Sequence, residues 1–289
     1  MNLKTALKVK KTIIGVSACT LVAAILAPFA WLIISSISTK VELLSTPIHW
    51  FPQHPTLINY KKLLMGGITS IGGGEIPPFK DALRNSIVVS GSVTLICLAI
   101  GSLAAYAFAT MEFWLKKQML LVVIAIRMIP EIALVLPLYM IMRKIKIMDT
   151  QLVLIIVYSS FILPFVIWIM KSYFQTIPKE LHEAAYIDGC STIGTLWRII
   201  LPLSLPGIMT TCIFALLAAW DEFLFALILT STYNAKTLPV SISEFTTRHL
   251  IDYGLMATGG LIAAIPPIIV ALLLQKYIIN GLTEGSVKG

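Results

Sequence analysis

Seven residues able to bind or neutralise a polar solute lie within otherwise apolar stretches: Arg127, Glu131, Tyr139, Tyr158, Trp220, Asp221 and Glu222. A lone arginine at the centre of a bilayer costs at least about 2.5–3.5 kcal/mol, so such groups face a partner or a polar pathway. Arg127 and Glu131 are four residues apart around Pro130. That spacing favours a mutual salt bridge facing the helix bundle, with contact to solute hydroxyls as the other reading. Asp221 and Glu222 divide between a gating or packing network and a solute contact. The aromatic residues could stack on a solute ring, or fill the core. Catalysis has no comparable set. His49, His54, His182 and His249 are dispersed, and Cys19, Cys97, Cys190 and Cys212 have no metal or redox spacing. No catalytic residue, metal site or cofactor is expected on this chain. The glycines at Gly66, Gly67 and Gly72 to Gly74 are not followed by Gly-Lys-Ser/Thr, which excludes a phosphate loop.

The elements that must position these residues are apolar spans. The 289 residues are 57% hydrophobic and 12% charged, with mean hydropathy +0.89. A soluble domain carries about 25% charged residues, and one aqueous core could not hide this apolar excess. An all-α polytopic membrane protein is predicted, as one domain over 1–289. Six stretches reach the roughly 20 residues needed to cross: about 13–37, 85–109, 119–142, 151–171, 205–230 and 257–279. Each must be helical, because lipid offers backbone groups no water. Gly101, Ala104 and Ala105, and Gly259, Gly260, Ala263 and Ala264, would allow close helix approach. The net charge of +8 belongs to lysines flanking spans and not to a nucleic-acid surface. The first stretch is too long for a signal-peptide core and reads as a retained helix. Lys4, Lys8, Lys10 and Lys11 favour an inside amino terminus, but Arg143, Lys144 and Lys146 then fall outside, so charge leaves topology open. Residues 38–84 form the longest loop, rich in proline and glycine.

Between two spans lies a polar loop, about 172–204, with its own helical signals. Pro178 suits a first helical turn. Leu181, Ala184, Ala185 and Asp188 fall on one face, kept slim by the alanines. Gly189 suits a left-handed cap and Ser191 a following N-cap. A second helix then presents Ile193, Leu196, Trp197 and Ile200 as one stripe for the membrane interface, and Pro202 ends it. The slim face suits insertion into a groove. Glu183 could meet a cation there, or pair with Lys179 at i, i+4.

Glu183-Ala184-Ala185, Gly189, Ile199, Leu201 and Pro202 resemble the signature loop of ABC importer permeases. Nearly the whole chain resembles carbohydrate-type members, of the kind of the shorter maltose permease. The resemblance rests on Asn85-Ser86, Arg127 to Pro130, Trp220-Asp221-Glu222-Phe223, Thr237 to Val240 and the tail from Gln275 to Gly289. Aspartate stands at 221 where asparagine is commoner. The resemblance implies a type I importer fold with six transmembrane helices, both termini cytoplasmic, in a bacterial inner membrane. It implies a loop (Glu183, Ala184, Ala185, Asp188, Gly189, Ile199, Leu201, Pro202) coupled to an ATPase, and an extended tail (Gly281, Gly285, Lys288, Gly289) reaching it. It implies as partners a second homologous permease, two ATPase subunits that carry ATP and Mg, and an extracytoplasmic solute-binding protein. The cargo would be a sugar or related polyol moved by alternating access, with the other permease holding most of the contacts. Glycerol-3-phosphate or another non-sugar solute is the alternative. A secondary transporter would have no need of the docking loop.

Overall fold

The computed structural model describes residues 3–47, 49–65, 78–246 and 251–284, with side chains from 10 to 277 among them. The glycine cluster at 66–74, His249, Gly285, Lys288 and Gly289 lie outside the described residues. Among the described residues the chain forms helices and no strand. In order these are α1 (Leu3–Ile37), α2 (Lys40–Leu43), α3 (Ile58–Met65), α4 (Phe79–Thr110), α5 (Lys116–Ala125) and, after a 3₁₀ turn at Ile126–Met128, α6 (Glu131–Lys144). Then follow α7 (Gln151–Phe174), α8 (Lys179–Ile187), α9 (Thr192–Thr195), a π turn at Leu196–Ile200 and α10 (Leu201–Leu203). The last four are α11 (Leu205–Trp220), α12 (Leu224–Leu229), α13 (Leu238–Ser243) and α14 (Tyr253–Glu284).

Four helices are long and apolar enough to span a membrane: α1 from Lys10, α4, α7 and α14 to Tyr277. Of the remaining two predicted spans, 119–142 is bent within itself and 205–230 follows a bend at its start. The α5 and α6 segments meet at 97°, and the segment Thr192–Leu203 meets α11 at 83°. Pro130 accounts for the first bend. It cannot donate a backbone N–H, and it forces Ile129 to an extended ψ of 125°. The predicted fifth span, 205–230, is likewise not continuous. Its helix ends at Trp220, and the short α12 follows after Asp221 to Phe223.

The chain divides into two compact units, Met1–Pro77 with Ile242–Ala264, and Pro78–Ser241 with Ile265–Gly289. In the first, a capping box opens α2. The Glu42 N–H donates to Thr39 Oγ1 at 3.4 Å and the Thr39 N–H to Glu42 Oε2 at 3.1 Å. Buried Asn59 of α3 donates to the carbonyls of Ser36 and Ser38, at 2.9 and 3.3 Å. Gly254 admits this amide, because a β-carbon there would stand 2.8 Å from Asn59 Nδ2. In α14 the close approach thus falls at Gly254, whereas a β-carbon on Gly260 would meet nothing within 4 Å.

The second unit holds the main core, where α4, α7 and α11 pack together around Val93, Cys97, Val157, Phe161, Val166 and Ala215. Gly101 permits the α4–α7 contact, since a β-carbon would lie 2.6 Å from Val166 Cγ1. Gly207 does the same for α7 and α11, with the Tyr173 ring seated against its backbone. No hydrophobic force drives helices together within lipid, so such close approach is what holds them. A Gly207→Leu change should therefore cost about 1–3 kcal/mol by overpacking. The expected result is a thermal midpoint several degrees lower for the detergent-purified protein, read by fluorescence melting.

Candidate functional site

The 175–204 loop is built as two capped helices. Thr176 and Ile177 close a turn after α7, and α8 starts behind Pro178. At its end, the Gly189 N–H donates to the Tyr186 carbonyl at 3.1 Å and the Cys190 N–H to the Ala185 carbonyl at 2.9 Å. Gly189 has φ +76°, the left-handed conformation predicted for it. Ser191 caps α9, its Oγ accepting from the Gly194 N–H at 3.1 Å.

Exposure separates the predicted coupling residues. Glu183, Ala184, Asp188, Gly189 and Pro202 are exposed, while Ala185 is 2% exposed and turned to its own chain. The free face of α8 is therefore Leu181, Ala184, Ile187 and Asp188, not the four-residue face expected from spacing. Ile199 and Leu201 are half-buried against the main core. The predicted single stripe of the second helix is split. Leu196 and Ile200 are buried, but Ile193 and Trp197 are more than 60% exposed. A π turn separates Trp197 from Ile200: the Leu201 N–H reaches back to the Leu196 carbonyl, which shifts the register by one residue. Pro202 does not end the helix, which runs on to Leu203.

Glu183 makes no ion pair with Lys179. Among the described residues the salt bridge is Lys116–Glu112, at 3.0 Å. Glu183 borders a cavity of about 490 Å³ together with Glu112, Lys116, Lys179 and His182. His182, not singled out by sequence reasoning, ties α8 to α4. Its ring stacks on Tyr106 at 5.8 Å between centroids, with Nδ1 3.4 Å from the tyrosine hydroxyl. Burial holds its pKa below the ordinary value, so it is neutral at physiological pH. The only signal for it was its place one residue before Glu183-Ala184-Ala185.

The opposite end of α7 carries a polar brace. The Asn85 side chain donates to the carbonyls of Tyr233 and Lys236, both at 3.0 Å, and accepts from Gln151 Nε2 at 2.6 Å. Ser86 Oγ accepts from the Leu238 N–H at 2.8 Å. The Asn85-Ser86 and Thr237-Leu238 motifs, far apart in sequence, are one contact. Asp149 accepts from the N–H groups of Ser231 and Thr232 at 2.8 and 2.9 Å, and from Thr232 Oγ1 at 2.8 Å. Burial raises its pKa, but these hydrogen bonds outweigh burial and leave it below the ordinary value. Its contribution is then complete above about pH 4 and lost as pH falls through the depressed value. Asp149→Ala should speed hydrogen exchange of the 229–233 amides several-fold at neutral pH, a difference that closes under strong acid. Mass spectrometry of the purified protein reads this directly.

The intramembrane candidates separate in the same way. Tyr158 and Trp220 are 1% and 5% exposed and belong to the core, and Tyr139 is half-buried against it. The Glu222 carboxylate accepts from the N–H groups of Phe225 and Ala226, at 2.7 and 3.2 Å, so it caps α12. Arg127, Glu131 and Asp221 are exposed. The salt bridge expected between Arg127 and Glu131 is not formed. The Pro130 break takes the two residues off a common helix face, and Arg127 Nη1 instead donates to the Phe161 carbonyl at 3.0 Å. Of the tail candidates, Gly281 lies within helical α14 and not in an extended segment.

Residues 97–284 match the family described as binding-protein-dependent transport system inner membrane component. The chain is 37% identical to the trehalose/maltose transport system permease protein MalG of Thermococcus litoralis, across 97% of this chain and 98% of that one. It is 36% identical to the trehalose transport system permease protein SugB of Mycobacterium tuberculosis, across 91% and 93%. In fold it is similar to a chain of a bacterial ABC transporter involved in the import of the acidic polysaccharide alginate. There the TM-score is 0.75 at 19% identity, covering 94% of this chain and 97% of that one. With the six spans, the exposed capped loop and these likenesses together, the chain belongs to the binding-protein-dependent inner membrane components, the permease subunits of ABC importers.

Proposed function

We propose that the chain is one half of the pore of an ATP-driven sugar importer, working by alternating access. The observation that carries this reading is the α8 loop. It is preorganised by the Gly189 and Ser191 caps, and it presents the side chains of Glu183, Ala184, Ile187 and Asp188 to solvent, with no side-chain partner among the described residues. An ATPase subunit with a slim groove and a cation opposite Glu183 is the partner it fits. Two such subunits would supply ATP and Mg. A second homologous permease would complete the pore, and an extracytoplasmic binding protein would deliver the solute. The sugar class rests on the relatives, named for trehalose and maltose transport.

The two sharp helix breaks, 97° and 83°, are the places where segments can swing without breaking regular hydrogen bonds. Driving a pore from 1:99 to 99:1 needs about 5.5 kcal/mol of differential binding. ATP binding together with docking of a loaded binding protein can supply that. Movement of the α8 loop would pass to the core through His182 on Tyr106, and through Leu196 and Ile200.

The test is transport and ATP hydrolysis by the reconstituted four-subunit complex with its binding protein, using labelled maltose and trehalose. Glu183→Ala should lower both activities by about tenfold, the effect of losing about 1.4 kcal/mol of docking energy. Gly189→Val should do at least as much, since a left-handed β-branched residue costs about 1–2 kcal/mol. Both variants should still insert in the membrane. Wild-type activities in both would overturn the coupling role.

A further inference from the structure

On the side of the α8 loop, a cavity of about 540 Å³ opens where two spans end and a third begins. The helices α4 and α7 stop there, at Thr110 and Phe174. Tyr106 meets Phe174 edge to face, 6.3 Å between centroids, so the two ends stand at one level. The apolar α5 leaves the same place at Lys116. Residues 111–115, which join α4 to α5, therefore lie at the boundary of the hydrocarbon layer.

This connection is held in one shape. The Phe113 ring turns back onto Phe108 of α4, 5.7 Å between centroids. Leu115 adopts φ +62°, which reverses the chain into α5. Lys116 Nζ donates to the Met111 carbonyl at 2.7 Å and pairs with Glu112 at 3.0 Å, closing the turn. Trp114 is left 87% exposed at the rim. An indole is favoured at a water–lipid boundary, where its ring meets apolar groups and its N–H meets polar ones.

The charge beside this ring is one-sided. Lys116, Lys117 and Lys171 line the cavity against one carboxylate, Glu112. Lys116 takes that carboxylate, and Lys171 Nζ donates to the neutral amide oxygen of Gln175 at 3.0 Å. Among the described residues no carboxylate pairs with Lys117 or Lys171. Two uncompensated ammonium groups next to an exposed indole match a ligand that is both anionic and amphipathic.

We propose that this cavity binds the phosphate-bearing headgroup of an anionic phospholipid, from the leaflet on the α8 side. The phosphate lies between Lys117 and Lys171, which bind it as point charges. The glycerol and first acyl carbons lie along Trp114 and Phe113. A soluble phosphate would use the lysines and leave the aromatic rim in water. A zwitterionic lipid would bring its own amine towards three lysines, so an anionic headgroup is the better match. The Lys116–Glu112 pair also borders the cavity beside His182 and Glu183, so the lipid braces the wall against which the α8 loop stands. The inference goes beyond the transport reading and does not depend on which solute is carried.

The test reconstitutes the assembled complex in phosphatidylcholine vesicles. These contain a minor fraction of phosphatidylglycerol brominated near the glycerol end of its chains, or the same fraction of equally brominated phosphatidylcholine. Tryptophan quenching is read, and the Trp114 share is the difference between the unaltered chain and Trp114→Phe. Phosphatidylglycerol should quench that share as a ligand favoured about fivefold, the effect of one lysine near an anionic lipid surface. Lys117→Gln combined with Lys171→Gln should remove the preference, or Lys117→Glu alone if the double variant does not assemble. Lys144→Gln, at the far end of α6, should leave it unchanged. Inorganic phosphate at constant ionic strength should also leave it unchanged. Equal quenching by the two lipids would overturn the site, as would a preference that survives loss of the lysines. A preference erased by inorganic phosphate would assign the cavity to a soluble anion and overturn the lipid. A Trp114 share that neither lipid quenches would show a partner subunit covering the rim, which overturns it equally.

Discussion

A helix that breaks inside a membrane must hand its freed backbone groups to something other than water. Among the helix breaks of this chain, the one after Trp220 is met by a carboxylate, and an arginine side chain stands at the one after Ala125. Beyond Trp220, the N–H groups of Phe225 and Ala226 are taken by the Glu222 carboxylate. Beyond Ala125, the Arg127 side chain turns to the Phe161 carbonyl of α7. The charges that look expensive in an apolar sequence are thus partly the means by which irregular backbone exists at that depth. Once the breaks are held, short segments can lie across the direction of their neighbours.

The long helix α7 connects this mid-depth region to both ends of its unit. At its start, Gln151 is held in the Asn85 brace, with Asp149 clamping the 231–232 loop beside it. At its far end the chain passes directly into the exposed α8 loop. Four hydrogen bonds join Asn85, Ser86 and Gln151 with the 233–238 backbone. The loop is anchored by apolar residues and by the His182–Tyr106 stack, and keeps its charged groups free.

The sequence alone determined the class, the apolar stretches and the location of the exposed capped loop. Those features follow from local chemistry: apolar length, a proline that cannot donate, a glycine suited to positive φ, a serine placed to cap. Gly189 at φ +76° and Ser191 on the Gly194 N–H follow from residue type and neighbours alone. The break at Pro130 was legible for the same reason. Tertiary structure decided which face of each helix is buried and which distant groups meet. Spacing put Ala184 and Ala185 on one docking face, yet only packing turns Ala185 inward, and only the π turn separates Trp197 from Ile200. Periodicity paired Arg127 with Glu131, but the 97° bend sent the arginine to another helix. Tyr158 and Trp220 are as aromatic as Trp114, and what separates core from rim is which ring the neighbouring helices cover. That depends on how α4, α7 and α11 pack, an outcome of contacts such as Gly101 on Val166 and Gly207 on Tyr173 between residues far apart in the chain.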